Sequence, residues 1–229
     1  MYEKIKVIAF DADDTLWVNE PYFRDAEHAF AKLLGKYETE NKINQELFKK
    51  EMDNLELYGY GVKGFMLSMI ESAIELSNGK IENEQLVDIL NIGKVMLQKP
   101  IELLDGVEEV LKTLSLKYKL ILATKGDLLD QERKLEKSGL DKYFDHIEVL
   151  SEKKVPNYVK LISFLDATPD EFLMIGNSLK SDVLPLIEIG AHAIHVPYHT
   201  TWAHEEIKDN KHQEQYKTVG SLLDILKLF

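Results

Sequence analysis

Three carboxylates lie within four residues near the start of the chain. The stretch "IKVIAFDADDTLW", residues 5–17, runs from a strand-like apolar segment into Asp11, Asp13 and Asp14. A solvated turn is one explanation, since strands end at surfaces and Asp is a common turn residue. Catalysis is another, because one carboxylate can act as a nucleophile while a second exchanges a proton. The rest of the chain decides between the two explanations.

Polar residues also follow the later predicted strands. A second strand ends in a hydroxyl, an ammonium group and a glycine, a third is followed by two ammonium groups, and a fourth by an amide and a carboxylate. In chain order these residues are Thr124, Lys125, Gly126, Lys153, Lys154, Asn177 and Asp182. Ligands of open α/β sheets bind beyond the carboxyl ends of the strands. We therefore expect these residues to share one site.

The secondary-structure elements that must position this site follow two different patterns along the chain. After Pro100, short apolar strands alternate with helices of 10–14 residues, which indicates βαβ units. The region from about residue 20 to 99 has helical periodicity and hardly any strand signal. We therefore predict a doubly wound, mostly parallel, Rossmann-like α/β core formed by residues 1–16 and 100–229. An all-helical domain over residues 17–99 interrupts it.

Composition narrows the possible classes of function. Of the 229 residues 45% are hydrophobic, and the formal net charge is -12. Such a charge is the opposite of the footprint of a nucleic-acid binder. Cysteine is absent, which excludes disulfides and thiol catalysis. No stretch resembles a signal peptide or is long and apolar enough to cross a membrane. We expect no nucleic-acid or membrane partner, and the lack of cysteine fits the expected cytoplasmic location; the sequence leaves the oligomeric state open.

Four segments together resemble the motifs of the haloacid dehalogenase-like (HAD) hydrolases. They are, in the order that the family has them, "DADDTLW", "LILATKGD", "SEKKVPNY" and "MIGNSLKSDV", and they span residues 11–182. The helical insertion resembles the cap domain of the family. The resemblance implies a Mg²⁺-dependent phosphatase of a small phosphorylated metabolite.

The resemblance also implies roles for the acids. Asp11 would attack phosphorus and form an aspartyl-phosphate, while Asp13 would protonate the leaving oxygen and later activate water. Mg²⁺ would be held by the Asp11 side chain, the Asp13 backbone carbonyl and Asp182. Asn177 stands where many relatives have Asp. An amide can still bind a metal-bound water, and it lowers the negative charge of the site by one.

Further residues would hold the phosphoryl group. By the same resemblance, the Thr124 hydroxyl and the N–H groups of Lys125 and Gly126 would bind its oxygens. A lysine would neutralise both Asp11 and the phosphate; the spacing favours Lys153, with Lys154 as the alternative.

Contacts to the substrate are expected from two segments of the inserted domain. The glycine-rich stretch "YGYGVKGF" is an ordinary helix connection or a loop that closes over the site. The stretch "NEPYF" would act as the hinge. The candidates for substrate contact are Asn19, Glu20, Tyr22, Phe23, Tyr60 and Lys63. Asp14 is interpreted as a structural turn residue.

Two other functions remain open on the same fold. A 2-haloacid dehalogenase needs the Asp nucleophile but neither Mg²⁺ nor a second acid, so Asp13 and Asp182 count against it. A non-catalytic binding protein would keep the pocket without turnover, and Asn177 is the only hint of it. The metal dependence of aryl phosphate hydrolysis separates all three functions.

Overall fold

A parallel sheet of six strands forms the centre of the α/β core in a computed structural model that describes residues 2–207 and 212–229. Its order is β3-β2-β1-β4-β5-β6, and all neighbouring strands are parallel. The strands are β1 (Val7–Phe10), β2 (Lys119–Lys125), β3 (His146–Leu150), β4 (Phe172–Gly176), β5 (His192–His195) and β6 (Lys217–Thr218). The predicted Rossmann-like α/β fold is confirmed.

Strand β1 lies between β2 and β4, and its register fixes where the strand ends meet. Phe10 pairs with Leu122 of β2 and with Ile175 of β4. The N–H of Asp11 donates to the carbonyl of Ile175 at 2.9 Å. Asp11 therefore leaves the sheet at the level at which β4 ends, while β2 continues to Lys125.

Helices cover both faces of the sheet. On one face α5 (Val107–Leu114), α6 (Leu128–Ser138) and a 3-10 helix (Leu222–Leu228) contribute to the core. On the other face α7 (Val155–Phe164) and α8 (Leu184–Glu188) do so. The strands read as near-continuous apolar runs because both of their faces are buried. Between β4 and α8 the chain makes one π-helical turn, Leu179–Val183, in which the N–H of Leu184 donates to the carbonyl of Leu179.

The helical insertion contains four helices. They are α1 (Glu20–Leu34), α2 (Glu40–Tyr58), α3 (Val62–Leu76) and α4 (Asn83–Gln98). Their buried faces form a separate core whose largest fully buried side chains include Phe30, Leu34, Ile43, Leu47, Met69 and Ile89. These apolar residues recur at helical spacing, so each helix has one apolar face that can be buried in this core.

Backbone packing divides the chain into two compact units. The sheet unit comprises Met1–Glu20, Ile101–Lys125 and Gln131–Phe229, and the helical unit comprises Pro21–Pro100 and Gly126–Asp130. Two stretches differ from the predicted division. Residues 17–20 stay with the sheet unit, because Trp17 is fully buried in its core and the N–H of Val18 donates to the carbonyl of Glu102 at 2.9 Å.

The other difference is residues 126–130, which pack with the helical unit although the sequence places them in the core. Within that unit Lys63 forms an ion pair with Asp127 at 2.8 Å. None of the helices in the described ranges is long and apolar enough to cross a membrane.

Candidate active site

One ammonium group joins two carboxylates at the end of β1. Lys153 Nζ donates to Asp11 Oδ1 and, at 2.6 Å, to Asp182 Oδ1. Its side chain is 1% exposed, as is that of Asp182. The side chain of Lys154, the alternative lysine, is 69% exposed, and its Nζ lies 3.6 Å from Glu152 Oε1. Of the two lysines, it is therefore Lys153 that faces the acids.

The charges of this buried group do not balance. Burial, opposed by the Lys153 charge and assisted by the Asp182 charge, leaves the pKa of Asp11 raised to about 7. Burial alone would lower the pKa of Lys153, but the charges of Asp11 and Asp182 hold it above its ordinary value. Two carboxylates share one ammonium group, so a further positive charge would be stabilised here.

Gly176 allows Asp182 to lie against the end of β4. A Cβ atom at this glycine would come within 2.3 Å of Asp182 Oδ2. The same oxygen accepts the N–H of Ser178 at 3.0 Å. A side chain at position 176 would therefore displace the carboxylate, which explains why the strand ends in glycine.

Thr15 and Asn177 complete the inner surface of the site. Thr15 Oγ1 donates to Asp11 Oδ2 at 3.1 Å and accepts the N–H of Asn177 at 3.1 Å. One terminal position of the Asn177 amide faces oxygens only. An amide nitrogen there donates to Asp11 Oδ2 at 3.2 Å, to Thr15 Oγ1 at 3.1 Å and to the Asp13 carbonyl at 3.3 Å. Thr15 was not among the predicted site residues, although it belongs to the first motif.

The oxygens around this end of the Asn177 amide test whether a metal fits the site. Asp11 Oδ2 and the Asp13 carbonyl lie 3.2 and 3.3 Å from the same terminal atom of the Asn177 amide. Within residues 2–207 and 212–229 no group of three His, Cys, Asp or Glu side chains could hold a metal ion. A metal would therefore depend on Asp11 Oδ2 and the Asp13 carbonyl, joined by the Asn177 amide oxygen if the amide turned that oxygen toward them. Such a set of hard oxygen donors suits Mg²⁺.

The Asp13 side chain lies in a cradle of three donors, which are Trp17, Gln131 and Lys134. It accepts hydrogen bonds from Trp17 Nε1 at 2.7 Å, Gln131 Nε2 at 2.8 Å and Lys134 Nζ at 2.8 Å. Burial would raise the pKa of Asp13, but the Lys134 charge and the three hydrogen bonds hold it below its ordinary value. Asp13 is thus an ionised, fully bonded carboxylate.

Two members of the cradle come from α6 and were missed by the sequence analysis. Gln131 Nε2 also donates to the carbonyl of Lys125 at 2.8 Å, and Lys134 Nζ also donates to Asn19 Oδ1 at 2.9 Å. Asn19, predicted to contact substrate, is therefore a partner of Lys134. No local pattern marks these residues; only their place in the helix after the second motif could have suggested them.

The predicted phosphate-binding residues lie at the end of β2. Thr124 is buried, and its hydroxyl donates to the carbonyl of Lys125 at 3.1 Å. Gly126 has φ 133°, a backbone conformation that favours glycine. The Lys125 side chain does not stay in solvent but pairs with Glu205 at 2.6 Å.

The predicted substrate-contact residues make contacts within their own units. In the sheet unit, both Asn19 and Glu20 donate their N–H groups to the Asp14 carboxylate, at 2.9 and 3.0 Å. Asp14 has φ 60° and fixes the start of α1, which accounts for it as a structural residue.

In the helical unit, the rings of Phe23 and Phe65 are 5.1 Å apart, and Lys99 lies over the Tyr22 ring at 4.8 Å. Tyr60 is half-buried. Lys63 pairs with Asp127.

The motifs and the fold match one protein family. The sequence model of the haloacid dehalogenase-like hydrolases matches residues 5–190. The chain belongs to this family. The resemblance of its four motifs is thereby confirmed, and the chain is a HAD-like hydrolase.

Solved structures of other HAD proteins are similar to this HAD-like hydrolase over nearly its full length. A haloacid dehalogenase-like family hydrolase from Xanthomonas campestris is 39% identical, with a TM-score of 0.87 over 98% of this chain and 91% of that one. The putative HAD-hydrolase YfnB from Bacillus subtilis, bound to magnesium, is 16% identical, with a TM-score of 0.65 over 99% of both chains.

L-2-haloacid dehalogenase from Xanthobacter autotrophicus is 15% identical to this HAD-like hydrolase, with a TM-score of 0.63 over 98% of both chains. The last two show the shared fold alone. No match to a curated protein was found.

Proposed function

We propose that this HAD-like hydrolase cleaves small phosphate monoesters with Mg²⁺ through an aspartyl-phosphate on Asp11. The main support is that Asp11, bonded to the buried Lys153, has its Oδ2 and the Asp13 carbonyl on the same side, where both face the Asn177 amide. A buried group with surplus negative charge and hard oxygen donors favours a divalent cation. When bound, Mg²⁺ would offset the repulsion between these acids and the incoming phosphate dianion.

In the proposed reaction the Asp11 carboxylate attacks phosphorus while Lys153 holds it in place and offsets charge on the phosphoryl oxygens. Asp13 would first take up a proton from solvent in place of one of its present hydrogen bonds, and then give that proton to the leaving oxygen. The same residue then takes a proton from the water that cleaves the aspartyl-phosphate. The three donors around Asp13 stabilise its ionised form, which is the form that the second step needs.

The remaining roles follow the motifs. The Thr124 hydroxyl and the N–H groups of Lys125 and Gly126 would bind phosphoryl oxygens, and Asp182 would act with Asn177 in the metal shell. Residues 17–99 would serve as the cap, and a closing cap excludes water and bulky polymers. We therefore propose a small phosphorylated metabolite as substrate and the cytoplasm as the place of action.

The test is hydrolysis of an aryl phosphate by the purified protein as a function of Mg²⁺ concentration. Hydrolysis that EDTA abolishes and Mg²⁺ restores is expected. A panel of phosphorylated metabolites under the same conditions would then identify the substrate class. A folded protein that binds phosphate esters without turnover would instead be a binding protein, and the proposal would be wrong.

A 2-haloacid dehalogenase is the second candidate, and one observation favours it. The Asp13 side chain accepts from Trp17, Gln131 and Lys134 and is ionised, so in this state it carries no proton to give. Dehalogenation needs no second acid. The structural similarity to a dehalogenase allows this chemistry on the fold. Release of chloride from a 2-chloroalkanoate in the presence of EDTA would establish it.

A further inference from the structure

Glu205 forms a buried hydrogen-bond network that the proposed mechanism does not use. It ends a short 3-10 turn, Ala203–Glu205, between β5 and β6. Its Oε1 accepts from Lys125 Nζ at 2.6 Å. Its Oε2 accepts from two hydroxyls, Ser178 Oγ at 2.5 Å and Ser181 Oγ at 2.6 Å. One carboxylate thus receives an ammonium group and two hydroxyls.

The network keeps Glu205 charged although the side chain is only 11% exposed. Burial would raise its pKa, but the Lys125 charge and the hydrogen bonds from Lys125, Ser178 and Ser181 lower the pKa to about 2. A buried carboxylate with every oxygen bonded holds its partners in one geometry.

These partners come from two strand ends on opposite sides of Asp11. Lys125 is the last residue of β2, and the two serines lie in the turn after β4. Strands β2 and β4 flank β1. The Glu205 carboxylate therefore links the segments on both sides of the strand that carries Asp11.

The turn that Glu205 grips is the one that carries Asp182. Ser178 donates its N–H to Asp182 Oδ2 at 3.0 Å, and its hydroxyl accepts the N–H of Ser181 at 3.0 Å. The carbonyl of Ser181 accepts from the Tyr158 hydroxyl at 2.9 Å. Glu205 and Tyr158 therefore fix, through Ser181 and Ser178, the direction of the Asp182 carboxylate.

We propose that Glu205 is a positioning residue of the active site, which holds Lys125 on one side of Asp11 and the Asp182 turn on the other. This inference rests on the proposed function. A purely structural anchor of the loop after β5 would also be buried and bonded. The two roles differ in what their loss changes, because only a positioning residue alters turnover in a protein that is still folded.

The experiment compares Glu205→Gln with a control, Glu206→Gln. Glu206 is the next residue in the chain and is exposed, so the control removes the same charge outside the network. Glutamine keeps the volume but offers one acceptor oxygen in place of two, so it cannot bond Lys125 and both serines together. With an aryl phosphate and Mg²⁺, kcat of Glu205→Gln should fall roughly tenfold to a hundredfold, as expected for a slight misplacement of catalytic groups.

Two further readouts accompany kcat. The Mg²⁺ concentration for half activity should rise in Glu205→Gln, because Asp182 is less well oriented, and KM should change far less than kcat. Glu205→Asp, which keeps the charge on a shorter side chain, should recover part of the loss. Glu206→Gln should behave as wild type. Wild-type kcat and Mg²⁺ dependence in a folded Glu205→Gln protein would overturn the proposal.

Amide hydrogen exchange separates this inference from the proposed function. In Glu205→Gln, exchange should accelerate over residues 176–184 and 122–126, and not only in the loop around residue 205. If the wild-type protein hydrolyses no phosphate ester, the proposed function fails, and exchange still decides whether Glu205 holds both segments. Faster exchange confined to the loop around residue 205 would show that Glu205 only anchors this loop, and it would overturn the positioning role.

Discussion

Asp11 and Asp13 are two residues apart, yet their surroundings differ in charge. Asp11 shares the ammonium group of Lys153 with Asp182, and its pKa is raised to about 7. Asp13 has the ammonium group of Lys134 and two further donors, and its pKa is lowered. One carboxylate has too little positive charge around it, and the other has enough.

Under the proposed function, the contrast suits the two acids to two different roles. A carboxylate with unbalanced negative charge is stabilised by a cation, and it loses that charge when it forms an acyl phosphate. A carboxylate that is fully bonded and ionised is ready to accept a proton. The neighbours that create this difference come from other parts of the chain, since Lys153 precedes α7 and Lys134 lies in α6.

The largest expected effect is the loss of turnover when Asp11, the proposed nucleophile, is replaced. Asp11→Asn keeps the shape but removes the attacking charge, so kcat on an aryl phosphate should fall at least about a thousandfold, some 4 kcal/mol of barrier. Circular dichroism should show that the variant is folded. Full activity of a folded Asp11→Asn protein would remove Asp11 from the nucleophile's role.

A second experiment tests Asp13 as the proton donor. Asp13→Ala should slow alkyl phosphates by about a hundredfold or more and aryl phosphates with good leaving groups by less, because only poor leaving groups need a proton. The measurement is kcat/KM for matched alkyl and aryl esters. Equal losses on both would mean that Asp13 does not protonate the leaving oxygen.

The contrast in charge also predicts stability changes of opposite sign in metal-free protein at pH 8. Asp13→Asn leaves the ammonium group of Lys134, whose side chain is 15% exposed, without its carboxylate, so the free energy of unfolding should fall by about 2 kcal/mol. Asp11→Asn leaves Lys153 and Asp182 as a neutral pair, so that free energy should rise by about 1 kcal/mol.

The pH dependence of these stability changes follows from the signs of the pKa shifts. A lowered pKa stabilises the fold above the ordinary pKa of the group, so the effect of Asp13→Asn should fade as the pH falls below roughly 4. A raised pKa costs stability once the carboxylate is ionised, so the gain from Asp11→Asn should vanish below roughly the same pH. Urea unfolding in EDTA at several pH values measures both; changes of equal sign would contradict the charge assignment.

The smallest effect concerns Asn177, beside Asp11 in the site. Asn177→Asp adds a carboxylate beside Asp11 Oδ2 and the Asp13 carbonyl, so it should lower the Mg²⁺ concentration for half activity by a factor that corresponds to about 1 kcal/mol. Asp182→Asn should raise that concentration. The measurement is activity against Mg²⁺ at saturating substrate. An unchanged value for Asn177→Asp, with a raised one for Asp182→Asn, would make position 177 structural.

The sequence predicted the fold because its signals are local. Apolar runs such as Val7–Phe10 and the helical periodicity around them specify elements one at a time. The two-residue strand β6 was missed, since Lys217 and Thr218 carry no pattern of their own. Pro21 lies in the first turn of α1 and is a local signal for the start of that helix, whereas the bond from the Glu20 N–H to Asp14 appears only in the structure.

The site was predictable only where a motif carried it. Asp11, Lys153 and Asp182 lie in segments with recognisable spacing. Gln131 and Lys134 reach Asp13 from 118 and 121 residues away along the chain, and Glu205 reaches Lys125 from 80 residues away. Such partners depend on how helices and loops pack against the sheet, and no local pattern encodes that.

The π-helical turn Leu179–Val183 gives the active site a length requirement. Each residue of a regular helix turns the chain by about 100°. Deletion of one residue of the turn, such as the exposed Lys180, would convert the π-helical turn to a regular α-helical one. Each later side chain would then be rotated by about 100° about the helix axis. Asp182 would then face away from Lys153 while α8 still formed. The number of residues between Gly176 and Asp182 is therefore as much a part of the active site as their identity, and single-residue deletions should be less tolerated there than most substitutions.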